Sequence, residues 1–415
     1  MSDDSLQSDA LDSADERQLA ALLEESKRIH GVSLWQDAWR RLKKNWAAMV
    51  SLYLLALISV LALVTPILPL QSPIDKDLES RDFLPPSSQS FQIGKRKGLR
   101  FENASLVSEL QKYDEEVAEL HSKLNQSQGD ELKQLETKLA ERLRKHPFEQ
   151  LWSKPGLITR GLIRVRLSVF GDWCIPSVCG TDALGRDVLA RVFWGARVSL
   201  IVGLVATLVS LLIGVTYGAT AGYLGGWTDD IMMRIVDILY SIPFIFVVIF
   251  IITILKEEET KKRMESYGID QIVVFYLIIG AIYWLTMSRV VRGQIISLKN
   301  EQFVDAARTV GASQPRIIFR HLIPNVMGVV IVYLSLTIPA VMLFEAFLSF
   351  LGLGVEAPDV SWGLLVNEGI QAITPIKTYW WLVVFPGLTL TLTLLALNFL
   401  GDGLRDALDP RLKNR

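Results

Sequence analysis

Apolar runs about as long as a membrane-spanning helix alternate with charged segments along this chain, and this alternation constrains its fold most. A helix needs about 20 mostly apolar residues to cross the hydrocarbon core of a bilayer. We predict six such helices, at about 46–70, 199–219, 231–255, 271–287, 326–347 and 379–400. The formal net charge of −1 argues against a nucleic-acid partner. The expected fold class is therefore an all-α polytopic membrane protein.

The distribution of basic residues predicts which side of the membrane each loop faces. Lys and Arg are enriched in the cytoplasmic loops of membrane proteins. Basic residues form one face of the amphipathic helix predicted at 33–45, lie in and around the loop at 301–325 and recur at the C-terminus. Six crossings that start in the cytoplasm return the chain there. We therefore expect a multi-pass protein of the inner (cytoplasmic) membrane with both termini in the cytoplasm.

The charged segments suggest five regions. Residues 1–32 form an acidic, serine-rich tail that we expect to be disordered, with a docking tail for a partner as the alternative. Residues 33–70 hold the interfacial helix and the first span, and residues 71–179 form an insert outside the cytoplasm. Residues 180–405 are the core with the other five spans, and residues 406–415 are a C-terminal tail.

The external insert carries two leucine-rich stripes that predict an antiparallel helical hairpin. Large apolar residues recur every three or four positions from Leu106 to Leu124 and again from Leu132 to Leu143, with NQSQGD between them. This spacing is typical of helices that pack against each other. The hairpin is either a structural cap or a dock for an external partner.

Cys174 and Cys179 are the only cysteines, and both fall in this insert. Disulfides form in oxidising compartments outside the cytoplasm, so we predict that these two residues form one small structural disulfide. No second Cys/His pair lies nearby to complete a zinc site, and we predict no bound metal.

The segment from Glu301 to Asn325, EQFVDAARTVGASQPRIIFRHLIPN, is a basic loop between two apolar runs. We predict a short helix that contains Asp305, Ala306 and Ala307 and ends at Gly311, because glycine readily takes the left-handed conformation of a helix end. A second helical segment then begins near Pro315. The two segments predict a rigid helix–turn–helix that can dock into a groove of another protein. The residues expected to form its docking surface are Glu301, Asp305, Ala306, Ala307, Gly311, Ala312, Pro315 and Pro324.

Few ionisable residues fall inside the predicted spans. Arg234 and Asp237 lie one helical turn apart, which predicts a local ion pair, and Glu345 lies in the fifth span. Because charged groups in a membrane are often functional, a role of these three residues in transport is the alternative.

Motifs of common enzymes and pumps are absent from the sequence. It has no GxxxxGK[ST] phosphate loop, no HExxH and no GxSxG,. We therefore predict that the chain is not an enzyme, hydrolyses no ATP by itself and binds no cofactor. A transporter of this kind needs either an ion gradient or a separate ATPase. The predicted docking loop favours the ATPase, since gradient-driven carriers usually show internal repeats.

Four stretches of the sequence resemble one family of transport proteins. DAARTVGASQPRIIFRHLIPN in the 301–325 loop resembles the cytoplasmic signature of ABC importer permeases, with Asp305 where Glu is usual. The other three stretches are SLWQDAWRRLKKNWAAM, GTDALGRDVLARVFWGARVSL and LSFLGLGVEAPDVSWG. These are similar to the C-type subunit of dipeptide and oligopeptide permeases. The insert at 71–179 is longer than we expect for this family.

The resemblance implies a type I ABC importer fold and a specific assembly. The chain would form half of a translocation pathway for di- or oligopeptides. Its partners would be a second, related permease, two cytoplasmic ATP-binding subunits that hold the ATP, and an external substrate-binding protein. The 301–325 loop would be the coupling loop that contacts one ATPase. The resemblance also implies an outer mouth built from Gly180, Asp182, Gly185, Arg186, Asp187, Gly352, Gly354, Pro358 and Trp362.

The sequence also allows other substrates and other functional classes. Related permeases carry nickel or other small solutes, so the substrate is open. A self-sufficient secondary carrier or channel, or a membrane scaffold, would act without an ATPase. Co-purification with ATPase subunits distinguishes the importer from both.

Overall fold

The computed structural model describes residues 34–74, 76, 82–86, 103–125, 130–144, 156–170, 175, 177–267, 271–355 and 359–408. Within these ranges the chain is helical, and extended pairing is limited to an isolated bridge between Thr181 and Asp187. The helices are α1 Leu34–Lys44, α2 Trp46–Val64, α3 Asn103–Leu124, α4 Asp130–Arg144, α5 Leu157–Phe170, α6 Val188–Leu224, α7 Gly226–Ser241, α8 Phe244–Leu255, α9 Glu258–Ser266, α10 Gln271–Leu298, α11 Gln302–Thr309, α12 Gln314–Phe350, α13 Trp362–Gln371 and α14 Trp381–Leu408.

The number of membrane spans is five or six, depending on one bent pair of helices. Five described helices are long and apolar enough to cross a membrane: α2, α6, α10, α12 and α14. Helices α7 and α8 meet at an angle of 75° and form the sixth span if they are counted together. Pro243 at this break has no backbone N–H to continue the helix. The predicted third span is therefore broken, whereas α6 and α14 extend beyond the predicted runs.

Helices α6 and α10 approach each other closely because glycines line their contact. Gly214, Gly218 and Gly222 recur every four residues on one face of α6. A Cβ atom on Gly218 would lie 2.2 Å from the carbonyl oxygen of Ser288 in α10. Small residues at such a spacing allow the backbones of membrane helices to pack directly. This contact holds the centre of the bundle together.

The bundle has two ends with separate apolar clusters. Helix α6 has 37 residues and is about 55 Å long at 1.5 Å per residue, so its first and last turns lie at opposite ends. We call them the α11 end and the α13 end. The cluster at the α11 end contains Val215, Ile295, Val304, Ile317 and Leu322. The cluster at the α13 end contains Ala62, Ile163, Val188, Trp362 and Trp381.

Helices α3 and α4 form the antiparallel hairpin that the leucine stripes predict. Arg142 in α4 pairs with Glu116 in α3 at 2.7 Å, and its guanidinium lies over the ring of Tyr113 at 5.1 Å. Tyr113 and Leu139 are buried between the helices. The start of the first stripe, with the side chains of Leu106 and Leu110, lies outside the described side chains.

Candidate functional site

Helix α11 is fixed to the rest of the bundle along one side. Val304 is fully buried in the cluster at the α11 end. Arg308 pairs with Asp305 at 3.0 Å, donates to the carbonyl of Lys299 at 3.4 Å and lies over the ring of Tyr223 at 5.6 Å. Because Lys299 directly follows α10 and Tyr223 lies in the last turn of α6, α11 is tied to two membrane helices.

Gly311 makes the turn after α11, as the sequence predicts. Its φ angle is +84°, in the left-handed region that favours glycine. The N–H of Gly311 donates to the carbonyl of Arg308 at 2.9 Å, and that of Ala312 donates to the carbonyl of Ala307 at 3.0 Å. No heavy atom lies within 4 Å of the position that a Cβ atom would take. The constraint at Gly311 is therefore the backbone conformation and not lack of space.

The other side of α11 and its turn faces outward. Ala306 and Phe303 are exposed, and Val310 is 89% exposed. Glu301, Pro315 and Pro324 are also exposed. Ala307 and Ala312 instead pack against the apolar cluster at this end, so these two alanines serve contacts within the chain. These exposed residues form what we call the α11 surface, in which Phe303, Ala306 and Val310 share one side of the helix among exposed polar residues such as Gln302 and Asp305.

Helix α12 carries the outward-facing segment directly into the membrane. It runs from Gln314 to Phe350 without interruption, and the six residues from Ile317 to Leu322 form a π-helical stretch. The N–H of Ile323 donates to the carbonyl of Ile318, five residues earlier. Pro324 has no N–H to donate, which favours such a local widening of the helix. The sequence analysis did not predict this feature.

The α13 end is built around a tight turn at residues 180–187. Gly180 and Gly185 have φ angles of +79° and +75°. A Cβ atom on Gly180 would lie 2.6 Å from the carbonyl oxygen of Leu84, so a larger residue does not fit there. Asp187 accepts a hydrogen bond from the N–H of Ala190 at 3.1 Å and thereby caps α6.

Four charged side chains form a cluster beside this turn, and three of them are buried while Glu368 is partly exposed. Asp182 pairs with Arg186 at 2.8 Å and with Arg191 at 2.6 Å. Glu368 in α13 accepts from Arg191 and lies 3.3 Å from Arg186. Arg191 is only 2% exposed. We call these four residues the charged cluster; it connects the turn, the start of α6 and α13.

A cavity of about 540 Å³ opens beside the charged cluster. Its polar wall consists of Asp182, Arg186, Arg191 and Glu368. Its apolar wall includes the rings of Phe83 and Tyr379, which stack at 3.9 Å. The sequence analysis named Asp182 and Arg186 but missed Arg191 and Glu368, because no local motif connects residues so far apart in the chain.

Trp362 and the glycines near it pack tightly at the same end. Trp362 is fully buried, and its indole N–H donates to the carbonyl of Val192 at 2.9 Å. Gly352 has a φ angle of +75°. A Cβ atom on Gly354 would overlap Ser349. Trp362 therefore acts in packing within the chain, while Pro358 lies outside the described residues.

The predicted ion pair between Arg234 and Asp237 is wrong. Asp237 pairs instead with Arg289 in α10 at 2.8 Å, which links α7 to α10. Glu345 is buried in α12 and accepts a hydrogen bond from Ser349 at 2.7 Å. The pair formed by Asp237 stabilises a contact between helices rather than a turn within one helix.

Cys179 is buried at the α13 end. Burial, together with the nearby charge of Asp187, raises the pKa of its thiol to about 12. Its predicted disulfide partner, Cys174, lies outside the described residues, so the disulfide stays a prediction.

Comparison with known proteins identifies the family. Residues 214–414 match the family described as "Binding-protein-dependent transport system inner membrane component". Residues 33–86 match the "N-terminal TM domain of oligopeptide transport permease C". The first match contains the whole 301–325 loop, and the second contains α1 and α2.

Individual relatives agree with this family. The dipeptide transport system permease protein DppC of Bacillus subtilis is 35% identical over 389 residues, which cover 94% of this chain and 89% of the relative. The oligopeptide transport system permease protein OppC of Escherichia coli is 50% identical over 232 residues, which cover 56% of this chain and 72% of the relative. The chain therefore belongs to the family of binding-protein-dependent inner-membrane transport components, among the dipeptide and oligopeptide permeases of ABC transporters.

Proposed function

We propose that this permease forms half of the translocation pathway of an ATP-driven importer whose substrates are di- or oligopeptides. The substrate class rests on the names of the relatives, which are dipeptide and oligopeptide permeases. The other half of the pathway would come from a second, related permease. The chain itself would be non-catalytic and hold no cofactor, and two ATP-binding subunits would supply the energy.

The α11 surface is the observation that supports the coupling to an ATPase. Val304 and Arg308 fix α11 to the bundle, whereas Phe303, Ala306 and Val310 face outward. A helix that is fixed on one side and exposes apolar residues at every third or fourth position on the other fits a groove in a partner protein. We assign this groove to one ATP-binding subunit.

The connections of α11 explain how movement of an ATPase reaches the membrane helices. Arg308 ties α11 to the carbonyl of Lys299 at the end of α10. After Gly311 the chain enters α12, which has no break before Phe350. A displacement of α11 therefore acts on α10 and α12 together, and these helices would switch the pathway between its inward-open and outward-open states.

The orientation of the protein follows from the same assignment. Basic residues lie at the α11 end, among them Arg289, Arg292, Lys299, Arg308 and Arg316. An excess of basic residues favours the cytoplasmic side, where ATP-binding subunits act. We therefore place the α11 end and both termini in the cytoplasm. The α13 end, with the charged cluster, would face outward and receive the substrate-binding protein.

A pair of matched substitutions tests the docking surface. Val310 and Ile376 are 89% and 92% exposed and belong to opposite ends of the bundle. Val310→Asp places a charge in the proposed groove and should abolish co-purification of the ATP-binding subunits and substrate-stimulated ATP hydrolysis. Ile376→Asp is the control and should leave co-purification of the ATP-binding subunits unchanged.

Two results would count against the proposal. Normal substrate-stimulated hydrolysis by the Val310→Asp complex would show that the α11 surface does not dock the ATPase. A chain that transports peptide in liposomes with no ATP-binding subunit would overturn the importer function itself.

A further inference from the structure

Helix α5, within the insert, exposes a continuous aliphatic face. Leu157 and Ile158 are 87% and 80% exposed, and Val165 and Val169 are 47% and 65% exposed. Residues 157, 161, 165 and 169 recur every four positions, so they share one side of the helix. Gly161 on this side has no heavy atom near the position of a Cβ atom. This side is unpartnered in the described part of the chain.

The side of α5 opposite the aliphatic face is occupied by the protein. Thr159, Ile163 and Arg166 are buried on the side opposite the aliphatic face. Arg164 lies between the two sides and approaches Asp114 of the hairpin at 3.7 Å. Helix α5 is therefore held by the bundle on one side and by the hairpin at one edge, and its aliphatic face points away from both.

The position of α5 places this face at the level of a membrane surface. Ile163 belongs to the same apolar cluster as Ala62, in the last turn of α2, and Val188, the first residue of α6. Both of these helices are membrane spans, so α5 lies where the spans end. On α2, Val60 and Leu63 are also exposed in these last turns. Helices α5 and α2 therefore both expose aliphatic side chains near the level at which α2 ends.

We propose that α5 lies flat in the bilayer interface, with its aliphatic face inserted among the phospholipid acyl chains. Its 14 residues are too few to span a bilayer, which takes about 20. A helix with one apolar side and arginines at its margin is typical of interfacial helices. Helix α5 then fixes the height of the hairpin above the membrane. This inference depends on the chain being a membrane protein and is independent of what it transports.

Spin labels on full-length protein in phospholipid nanodiscs test the proposal. Labels are attached to Val165→Cys and Val169→Cys, with Ser122→Cys on the hairpin as the control because Ser122 is exposed. The native protein, treated with the label in parallel, gives the background from Cys174 and Cys179. Collisions with oxygen, which concentrates in lipid, are compared with collisions with a water-soluble nickel chelate.

The expected result is an oxygen-to-nickel collision ratio several-fold higher at positions 165 and 169 than at position 122. Equal ratios at all three positions would show that the aliphatic face is in water and would overturn the proposal. Low collision rates with both reagents at 165 and 169 would also overturn it, because a protein surface would then cover the face. All three substitutions are at exposed positions, so the labelled chains should fold.

Discussion

The two ends of the helix bundle use their charged and aromatic side chains in opposite ways. At the α13 end, Arg191 and Trp362 are buried, and each has its partners within the chain. At the α11 end, Phe319 and Arg320 are exposed and Val310 is almost completely so. The charged cluster and Trp362 find their partners within the first end, whereas the second end presents exposed side chains on a helix that another protein can cover.

This difference indicates which substitutions should lower the stability of the chain and which should disturb its coupling to a partner. Substitutions in the charged cluster should act on folding, because they remove one partner of a buried charge. Substitutions on the α11 surface should act on the complex and leave the isolated chain intact. The predictions below compare the two ends on this basis, from the largest effect on folding to the smallest.

The largest effect is expected for Arg191→Met in the charged cluster. Arg191 pairs with Asp182 and Glu368 and is 2% exposed. Removing one partner of a buried ion pair costs about 3–5 kcal/mol, and the cost here should lie toward the lower end because Asp182 keeps Arg186 as a partner at 2.8 Å. Thermal unfolding of the purified chain in detergent should therefore occur at a clearly lower temperature.

Arg316→Met at the α11 end is the matched control for this experiment. Arg316 is exposed, and the same loss of charge should leave the unfolding temperature nearly unchanged. If the two substitutions lowered that temperature equally, the distinction between the two ends would be lost.

A smaller effect on stability is expected for Gly218→Leu between the two ends. The carbonyl oxygen of Ser288 lies 2.2 Å from the position of the new Cβ atom, so α6 and α10 must separate. Overpacking of this kind costs about 1–3 kcal/mol. Gly328→Leu is the control, since no heavy atom lies near its Cβ position. Equal unfolding temperatures for the two variants would contradict the close approach of α6 and α10.

The next prediction concerns the turn at Gly311, where conformation and size can be separated. A left-handed conformation costs most residues about 1–2 kcal/mol, whereas asparagine adopts it more readily. Gly311→Val should therefore lose substrate-stimulated ATP hydrolysis in the assembled transporter, and Gly311→Asn should keep much of it. Equal loss in both variants would indicate that contact with a partner, rather than the backbone conformation, requires glycine.

Gly311→Asp adds a charge at the same turn. It should also abolish coupling to ATP hydrolysis while the chain still inserts into the membrane.

Features that depend on local patterns were predictable from the sequence. The apolar runs predicted the membrane spans, and the leucine stripes predicted the hairpin. Gly311 was correctly expected to end α11. The four-residue spacing of Gly214, Gly218 and Gly222 was also readable as a helix-packing motif, although the sequence analysis did not use it.

Features that depend on distant contacts were not predictable in this way. Asp237 pairs with Arg289, 52 residues away, so the neighbouring Arg234 was the wrong partner. Glu368 joins Arg191 across 177 residues, and no local pattern brings them together. Pro243 indicated a break in the third span, but its 75° angle depends on the packing of α7 and α8.

The smallest effect on stability is expected for chemical labelling of Cys179, whose reactivity reports whether the α13 end is closed to solvent. Without reductant, neither cysteine should react with a thiol reagent if the predicted disulfide with Cys174 is present. After mild reduction, Cys179 should still react slowly at pH 8, because its pKa of about 12 keeps the thiol protonated and only the thiolate is nucleophilic. The rate should rise as the pH approaches 12, and unfolding at pH 8 should bring it to that of an ordinary thiol.

The same pKa shift makes the free energy of unfolding depend on pH. Above pH 9, the pKa of the thiol in the unfolded chain, the folded state binds more protons than the unfolded state, so stability falls as the pH rises. Fast labelling of Cys179 in the folded, reduced chain at pH 8 would show that the α13 end is more open than the buried charged cluster implies.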